Sequence, residues 1–443
     1  GSHIHTGTFK TAATTLIIEA TAKVDNLVVN AGTTKIYGEV GTITGDAAAE
    51  AAFYVGTVKA LEAFRDLVNG GKTFEKVTII LENDIDLGGV ANWTPIGTQD
   101  NPFKGVFDGN GKTISNLKIN YTSDDNLPQG LFGYMRGLSE AYRAVVKNLT
   151  VDGADVTAIN NTGKAAVVGY AFSYSTIDNV TVKNSKVYGN RWVGGVVNGY
   201  VKVLNCSADN VQVTAVPNES GDSYDNGDKV GAIVGWHGEG AIEVSGNTAN
   251  NVTVRAYRAL GGIIGLAHSK NIIKNNTVTN STIIRDAYTN AYSDESKNAG
   301  KVIGRLGSDV TDEGNVAGDD VTVIGLIGDG ISEDADGNYH VLSAAGLAFL
   351  ATKQINDKTV FLDTDIDYDN AEWAGVTVGY SKTLVIDGQG HTIKNLKLLN
   401  YAPDAQSSDA RALVRIAYPN SNLTVKNLTF DNVVAEDGTY NGV

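Results

Sequence analysis

Sulfur is almost absent: 443 residues include one cysteine and one methionine. The lone thiol, Cys206, excludes an internal disulfide framework and a cysteine-ligated metal site. It sits inside a repeated phrase, Asn205-Cys206-Ser207, which suits a small packed side chain better than a nucleophile. Proline is scarce as well, six residues against 51 glycines, and the glycines lack the period of collagen. Basic residues number 35 against 50 acidic ones, leaving a net charge of −15. That balance argues against nucleic acid, which needs a basic footprint, and against an anionic membrane surface. Its plain consequence is solubility. No apolar run is long enough to span a membrane. The opening Gly-Ser-His looks like a cloning remnant, so the lack of a signal peptide says nothing about location.

What is present is a phrase, apolar-x-Asn-apolar-x-apolar. It appears first at residues 114–119 (ISNLKI) and recurs around Asn148, Asn179, Asn210 and Asn251. Weaker copies surround Asn280 and Asp320, and clear ones return at Asn395 and Asn427. Intervals of about 31 residues fit one turn of a parallel β-solenoid with three short strands and three corners. Longer intervals read as loops grown from a corner, over residues 217–228 and 288–297. Strict alternation breaks between Ile114 and Leu117, so a corner falls at Ser115-Asn116, and Asn tolerates the left-handed backbone that corners need. Coils stacked roughly 4.8 Å apart would let these side chains bond up and down as one ladder. The inward column would hold Ile114, Val146, Ile177, Ala208, Ala249 and Val278, beside Leu117, Leu149, Val180, Val211 and Val252.

Residues 8–45 read as a small β-layer leading into the main body, and residues 57–69 as a helix. Thr57 would cap that helix, Gly70 and Gly71 would stop it, and it would cover an open end of the stack. A second column of short phrases follows: Gly130-Leu131-Phe132-Gly133, Ala166-Val167-Val168-Gly169, Ala232-Ile233-Val234-Gly235 and Gly262-Ile263-Ile264-Gly265. With the preceding LENDIDLGG, WTPIG and PFKGVFDGNGKTISNL stretches, these resemble GLUG-repeat proteins, which are secreted or surface proteins of bacteria. The resemblance covers roughly residues 57–325 and implies a pectin-lyase-like right-handed parallel β-helix, all-β with a short capping helix. It does not choose among adhesins, stalks and protease-associated regions. The chain then begins again: IDGQGHTIKNLKL at 386–398 matches FDGNGKTISNLKI at 107–119. We therefore expect a lead-in over residues 1–50, a first module over 51–330, and the start of a second, cut inside a larger tandem protein, over 331–443.

Two classes of function stay open. One is a non-enzymatic surface protein, an adhesin or stalk, extracellular and monomeric. Tyr134, Tyr170 and Trp236 follow the glycine column directly, and Tyr200 comes one place later. Arg191, Arg258 and Lys297 precede it in one register, with Trp192 and Lys229 one column over. Facing outward, such rows would stack on and hydrogen-bond a polysaccharide; facing inward, they would line the core or cover corners. The other class is a polysaccharide lyase or glycoside hydrolase, which needs clustered acids on one face. Pectin-degrading hydrolases of this architecture show Asn-Thr-Asp, Asp-Asp, Gly-His-Gly and Arg-Ile-Lys in order; here Asp319-Asp320 and Trp236-His237-Gly238 are the nearest matches, and no Arg-Ile-Lys follows. Asp84 with Asp86, and Asp365 with Asp367, put two carboxylates on one strand face, able either to hold Ca²⁺ or to accept turn N–H groups. No other cofactor is expected. His237, His268, His340 and His391 show no metal-ligand spacing, His3 and His5 adjoin the tag-like start, and His-Glu-x-x-His is missing.

Overall fold

The computed structural model describes residues 3–10, 15–18, 22–30, 33–44, 52–123, 125–160, 162–216, 227–240, 242–286, 299–328, 330–334, 336–351, 353–398, 410–417, 419–435 and 440–441. The chain divides into two compact units, one of residues 1–285 and 292–323 and one containing residues 324–443. The second begins slightly earlier than the sequence suggests, because Leu326 pairs with Ser332 in a hairpin that joins residues 324–328 to the strand Ile331–Glu333.

In the first unit each strand pairs in parallel with its counterpart one coil away, so like residues stack in columns. Ile79, Phe107, Val146, Ile177, Val203, Val244 and Ile273 are consecutive register partners. So are Ile85, Ile114, Val151, Val182, Ala208, Ala249 and Val278. A third column runs through Phe132, Val168, Val197, Val234 and Ile264. All of these side chains are buried. β-Branched residues suit such stacks, and each buried Val or Ile contributes about 1.5–3 kcal/mol of apolar transfer. The expected inward column is thereby corrected: Ile114 stacks on Val151, while Val146 and Ile177 belong to the neighbouring column.

The reason is that each coil from Asn148 to Asn280 turns two left-handed corners, five residues apart. Asn148, Asn179, Asn205, Gly246, Asn275 and Gly314 occupy one corner; Asn116, Gly153, Asn184, Asn210, Asn251 and Asn280 occupy the other, all at positive φ. The same phrase serves both corners, so one apparent ladder is two. An aspartate begins each run of side-chain bonds. Asn148 Nδ2 donates to Asp108 Oδ1 at 3.1 Å, and Asn179 Nδ2 to Asn148 Oδ1 at 2.9 Å. At the second corner Asn184 donates to Asp152 Oδ1 at 2.9 Å, Asn210 to Asn184 at 2.9 Å and Asn251 to Asn210 at 3.3 Å. Asp320 does not share the left-handed backbone, so its phrase is not a corner copy.

Between the corners the apolar column Leu149, Val180 gives way to an internal amide ladder. The Asn247 side chain accepts from Cys206 N–H at 2.8 Å and donates to Asn276 Oδ1 at 2.8 Å, and Asn276 donates to Asn315 Oδ1 at 2.8 Å. Cys206 stands at the changeover, fully packed and hydrogen-bonded by its thiol to Leu204 O at 3.2 Å. This is the packed role its sequence setting suggests.

The helix forms over Val58–Asn69, capped by Thr57 Oγ1, which accepts from Ala60 N–H at 3.2 Å. Leu61, Phe64 and Val68 are buried, and the Phe64 ring meets Phe74, Phe103 and Phe107 at 5.1, 5.8 and 6.1 Å. It does not close the stack. Ala52–Val55 pairs directly with Thr78–Leu81, and Thr33–Ile36 and Thr15–Ile18 continue the parallel pairing beyond it. The lead-in is therefore a set of shorter coils on the same stack rather than a separate layer, since Ile18, Ile36, Phe53 and Val55 extend its core.

The second unit repeats the opening of the first. A helix, Ala344–Leu350, is capped by Ser343, and parallel strands Thr383–Asp387 and Asn422–Lys426 come after it. Trp373 Nε1 donates to Leu413 O at 3.0 Å, as Trp93 Nε1 does to Leu131 O at 3.1 Å. Asn427 and Lys426 hold Asp387 at 3.0 and 3.1 Å, as Asn148 and Lys147 hold Asp108 at 3.1 and 3.3 Å. The internal duplication seen in sequence is a duplication of contacts.

Candidate functional site

The predicted aromatic residues do come together, in the first unit and outside its main core. Tyr134 and Tyr170 are register partners on neighbouring coils, with ring centroids 6.0 Å apart. On the next coil Asn198 breaks the row. It is buried, donates to Lys164 O and Gly169 O at 3.0 and 3.3 Å, and accepts from Trp236 N–H at 3.1 Å. Trp192 packs beside the interrupted row from the other side of the coil, stacked 4.9 Å from Trp236 and tilted 6.0 Å from Tyr170. Tyr200 meets Trp236 edge-on at 5.3 Å, and Trp236 meets His268 at 5.8 Å.

Exposure divides the group. Tyr134 and Trp236 are buried and act as supports, whereas Tyr170, Trp192 and Tyr200 keep half-buried edges. Burial pushes the Tyr134 and Tyr170 hydroxyls above their ordinary range, so both stay protonated. Phe172 was missed from sequence; it stacks on Tyr134 at 5.7 Å and lies 4.8 Å from Tyr170. Its aromatic side chain two places beyond Tyr170 was the available signal.

The charged column is partly as expected. Arg191 and Arg258 share a register, but Asp228 stands between them as the partner of both. Asp228 is buried, with Lys229 Nζ at 3.1 Å and Arg258 Nη2 at 3.4 Å. Trp192, Lys229 and Ala259 occupy the next position with φ of 50°, 59° and 49°. A left-handed backbone is strained for a bulky residue, about 1–3 kcal/mol, and here three coils adopt it together. Arg191 lies 4.3 Å over the Trp192 ring and Lys229 6.0 Å from it. Lys297 lies outside the described residues.

Lys164 is the second omission. Fully buried, its Nζ donates to Asn160 O, to Asn190 Oδ1 at 2.7 Å and to Arg191 O at 3.2 Å. Burial holds its pKa well below the lysine range; the nearby Arg191 charge adds to this and Asp228 opposes it. It fixes the backbone just before Trp192. Nothing in the sequence separates it from a surface lysine.

The paired aspartates serve the turns. Asp86 Oδ1 accepts from Asn116 Nδ2 at 2.8 Å and Gly88 N–H at 2.9 Å, and Asp84 Oδ1 accepts from Thr113 N–H at 2.8 Å. Asp367 Oδ1 does the same for Asn395 Nδ2 at 2.8 Å and Asp369 N–H at 3.0 Å, and Asp365 Oδ1 for Thr392 N–H at 2.9 Å. Among the described residues, the one group of three His, Cys, Asp or Glu ligand atoms close enough to share an ion is His3, His5 and Asp25, on the paired strands His3–Phe9 and Lys23–Val29. His237 is fully buried between Val201 O and Asn271 Oδ1, which removes it from any surface chemistry.

No protein-family profile matches the chain. It is 31% identical over 170 residues to halomucin of Haloquadratum walsbyi, a match covering 36% of this chain and 2% of that protein. A proposed Gly-rich membrane protein of Evansella cellulosilytica is 32% identical over 142 residues, covering 31% of this chain and 15% of that one. The chain thus spans a small part of these curated relatives. Among solved structures, a proposed immunoglobulin A1 protease of Bacteroides ovatus aligns over 84% of each chain at 15% identity and a TM-score of 0.35. An alginate lyase of Paenibacillus aligns over 85% of this chain and 99% of its own at 12% identity and a TM-score of 0.13. No helix among the described residues is long and apolar enough to cross a membrane.

Proposed function

We propose that the chain belongs to a secreted or cell-surface bacterial protein, a right-handed parallel β-helix of the GLUG-repeat kind that works as an adhesin or stalk and touches glycans. The observation that carries this is the position of Trp192. A strained turn sets its indole outside the core, stacked on Trp236 and covered by the Arg191 guanidinium. The half-buried edges of Tyr170, Trp192 and Tyr200 offer apolar surface to the C–H face of a sugar ring, and Arg191 offers donors to its oxygens. A relative named as a membrane protein agrees with a surface location. Trp192→Ala and Arg191→Ala should lower retention in polysaccharide affinity electrophoresis; unchanged mobility for both variants removes the reading. A screen of uronate and neutral polysaccharides for new reducing ends or unsaturated products tests the non-enzymatic part, and robust turnover would replace it with a carbohydrate-active enzyme.

A further inference from the structure

Lys164 and Asn190 meet inside the first unit, on adjacent coils. Lys164 pairs with Val193 in a parallel bridge, and its N–H donates to Trp192 O at 2.9 Å. The lysine stem runs over Gly189. A Cβ there would lie 2.8 Å from Lys164 Cδ and 3.1 Å from Cε, so the backbone is bare where the stem passes. Nζ then reaches Asn190 Oδ1 at 2.7 Å, and both residues are at most 1% exposed. The amide carbon is one bond of about 1.23 Å from that oxygen, which sets it about 3.0–3.9 Å from Nζ at any acceptable hydrogen-bond angle. Reacting atoms poised for attack lie about 3–3.5 Å apart, within that span.

The protonation of Lys164 decides whether this contact is only a hydrogen bond. Asn160 O, Asn190 Oδ1 and Arg191 O surround Nζ and would suit an ammonium. Burial, helped by the Arg191 charge, opposes the cation and holds the pKa well below the lysine range. The neutral amine has a lone pair and is nucleophilic. In water an amine and an amide would have to find each other; here the fold holds them enclosed and in contact. The Arg191 and Asp228 charges both act on Lys164. A cation there favours the negative charge that develops on Oδ1 during attack, and the carboxylate is available to relay a proton.

We propose that Lys164 and Asn190 condense into an intramolecular isopeptide bond that ties two adjacent coils together. The Nζ–Cγ bond forms and the Cγ–Nδ2 bond of Asn190 breaks. Nδ2 leaves as ammonia, carrying one proton from Nζ. Nothing is oxidised or reduced, and no co-reactant is consumed. Intact-mass spectrometry of the unfolded full chain tests this. The chain should be lighter than its sequence by one ammonia, and a protease digest should contain a branched peptide joining Lys164 to Asn190. Lys164→Arg and Asn190→Ala should each restore the sequence mass. The branched peptide is sought in the unaltered chain, so the result does not depend on either variant folding. A chain at its full sequence mass after prolonged incubation, or a digest without the branched peptide, would overturn the proposal. So would an ammonia loss that survives Lys164→Arg, because a succinimide at an Asn-Gly pair such as Asn110-Gly111 would then account for it.

Discussion

The indole of Trp192 lies 4.9 Å from that of Trp236, with the two ring planes 16° apart. The residues come from different faces of the coil and meet beside Asn198, which interrupts the row. Their stacking is thus a tertiary contact that a double-mutant cycle can isolate. Trp236→Ala should cost about 3–5 kcal/mol, as for a buried aromatic truncated in place. Trp192→Ala should cost less, being half-buried, and the coupling between the two should be about 0.5–1.5 kcal/mol. Denaturant unfolding of the two single variants and the double variant measures this; additive effects would mean the rings do not support each other.

Gly153 stands at φ 69° in a corner column that Asn116 and Asn184 occupy on the adjacent coils. A Cβ at this position would lie 3.2 Å from Asn116 Oδ1, the end of a side chain able to move. Gly153→Asn should therefore be tolerated and should join two separate ladder segments, holding or raising the melting temperature. Gly153→Val should lower it, since a β-branched residue pays the left-handed penalty of about 1–2 kcal/mol without gaining a bond.

Much of the coil was legible in the sequence, because a corner asks the same thing of each turn. The Asn phrase, the Gly-flanked column, the helix with its Thr57 cap and the duplicated opening all have local causes. Two columns were merged into one because the corners at Asn148 and Gly153 use interchangeable residues. Only register, a property of pairs of coils, tells them apart. The aspartates that head the ladders were legible as turn acceptors, but their partners lie a coil away in sequence. Asp228, one place before Lys229, falls in the Arg191 register, but only packing shows it buried between cations. The burial of Lys164 likewise depends on packing that composition does not record.

Cys206 offers a simple chemical test of burial. Its thiol is fully enclosed, and burial pushes its pKa up to about 12. Thiolate is the reactive form, so a disulfide reagent at pH 8 should leave the native protein untouched and titrate one thiol after unfolding. Rapid reaction without denaturant would mean that the coil around Cys206 opens readily.

The aspartates heading the ladders predict acid sensitivity. Hydrogen bonds from Asn116 and Gly88 hold Asp86 below its ordinary carboxyl range, and those from Asn395 and Asp369 do the same for Asp367. A carboxylate with a depressed folded pKa contributes stability that is fully present above the ordinary value of 3.8 and lost as pH falls through the folded one. The melting temperature should drop steeply below about pH 4. Asp86→Asn with Asp367→Asn should melt lower at pH 6 and show a shallower fall in acid.

His237 makes the sharpest pH argument, because both its ring nitrogens face acceptors. Nε2 lies 2.8 Å from Val201 O and Nδ1 2.7 Å from Asn271 Oδ1. The amide of Asn271 is fixed by donation to Gly238 O and Gly240 O at 2.9 and 2.8 Å, so its oxygen must point at the ring. A neutral imidazole has one N–H and satisfies only one of these; the imidazolium would satisfy both. Burial nevertheless outweighs the two acceptors and sets the pKa below its ordinary value of 6.5. His268 moves the same way, through burial first and then the Lys229 charge. The unfolded chain therefore binds protons that the native one does not, and stability should fall as pH drops below about 6.5. Denaturation midpoints between pH 7 and pH 5 should show that fall, and His237→Gln with His268→Gln should flatten it. A rise in stability over the same range would show instead that the two acceptors hold His237 as the cation.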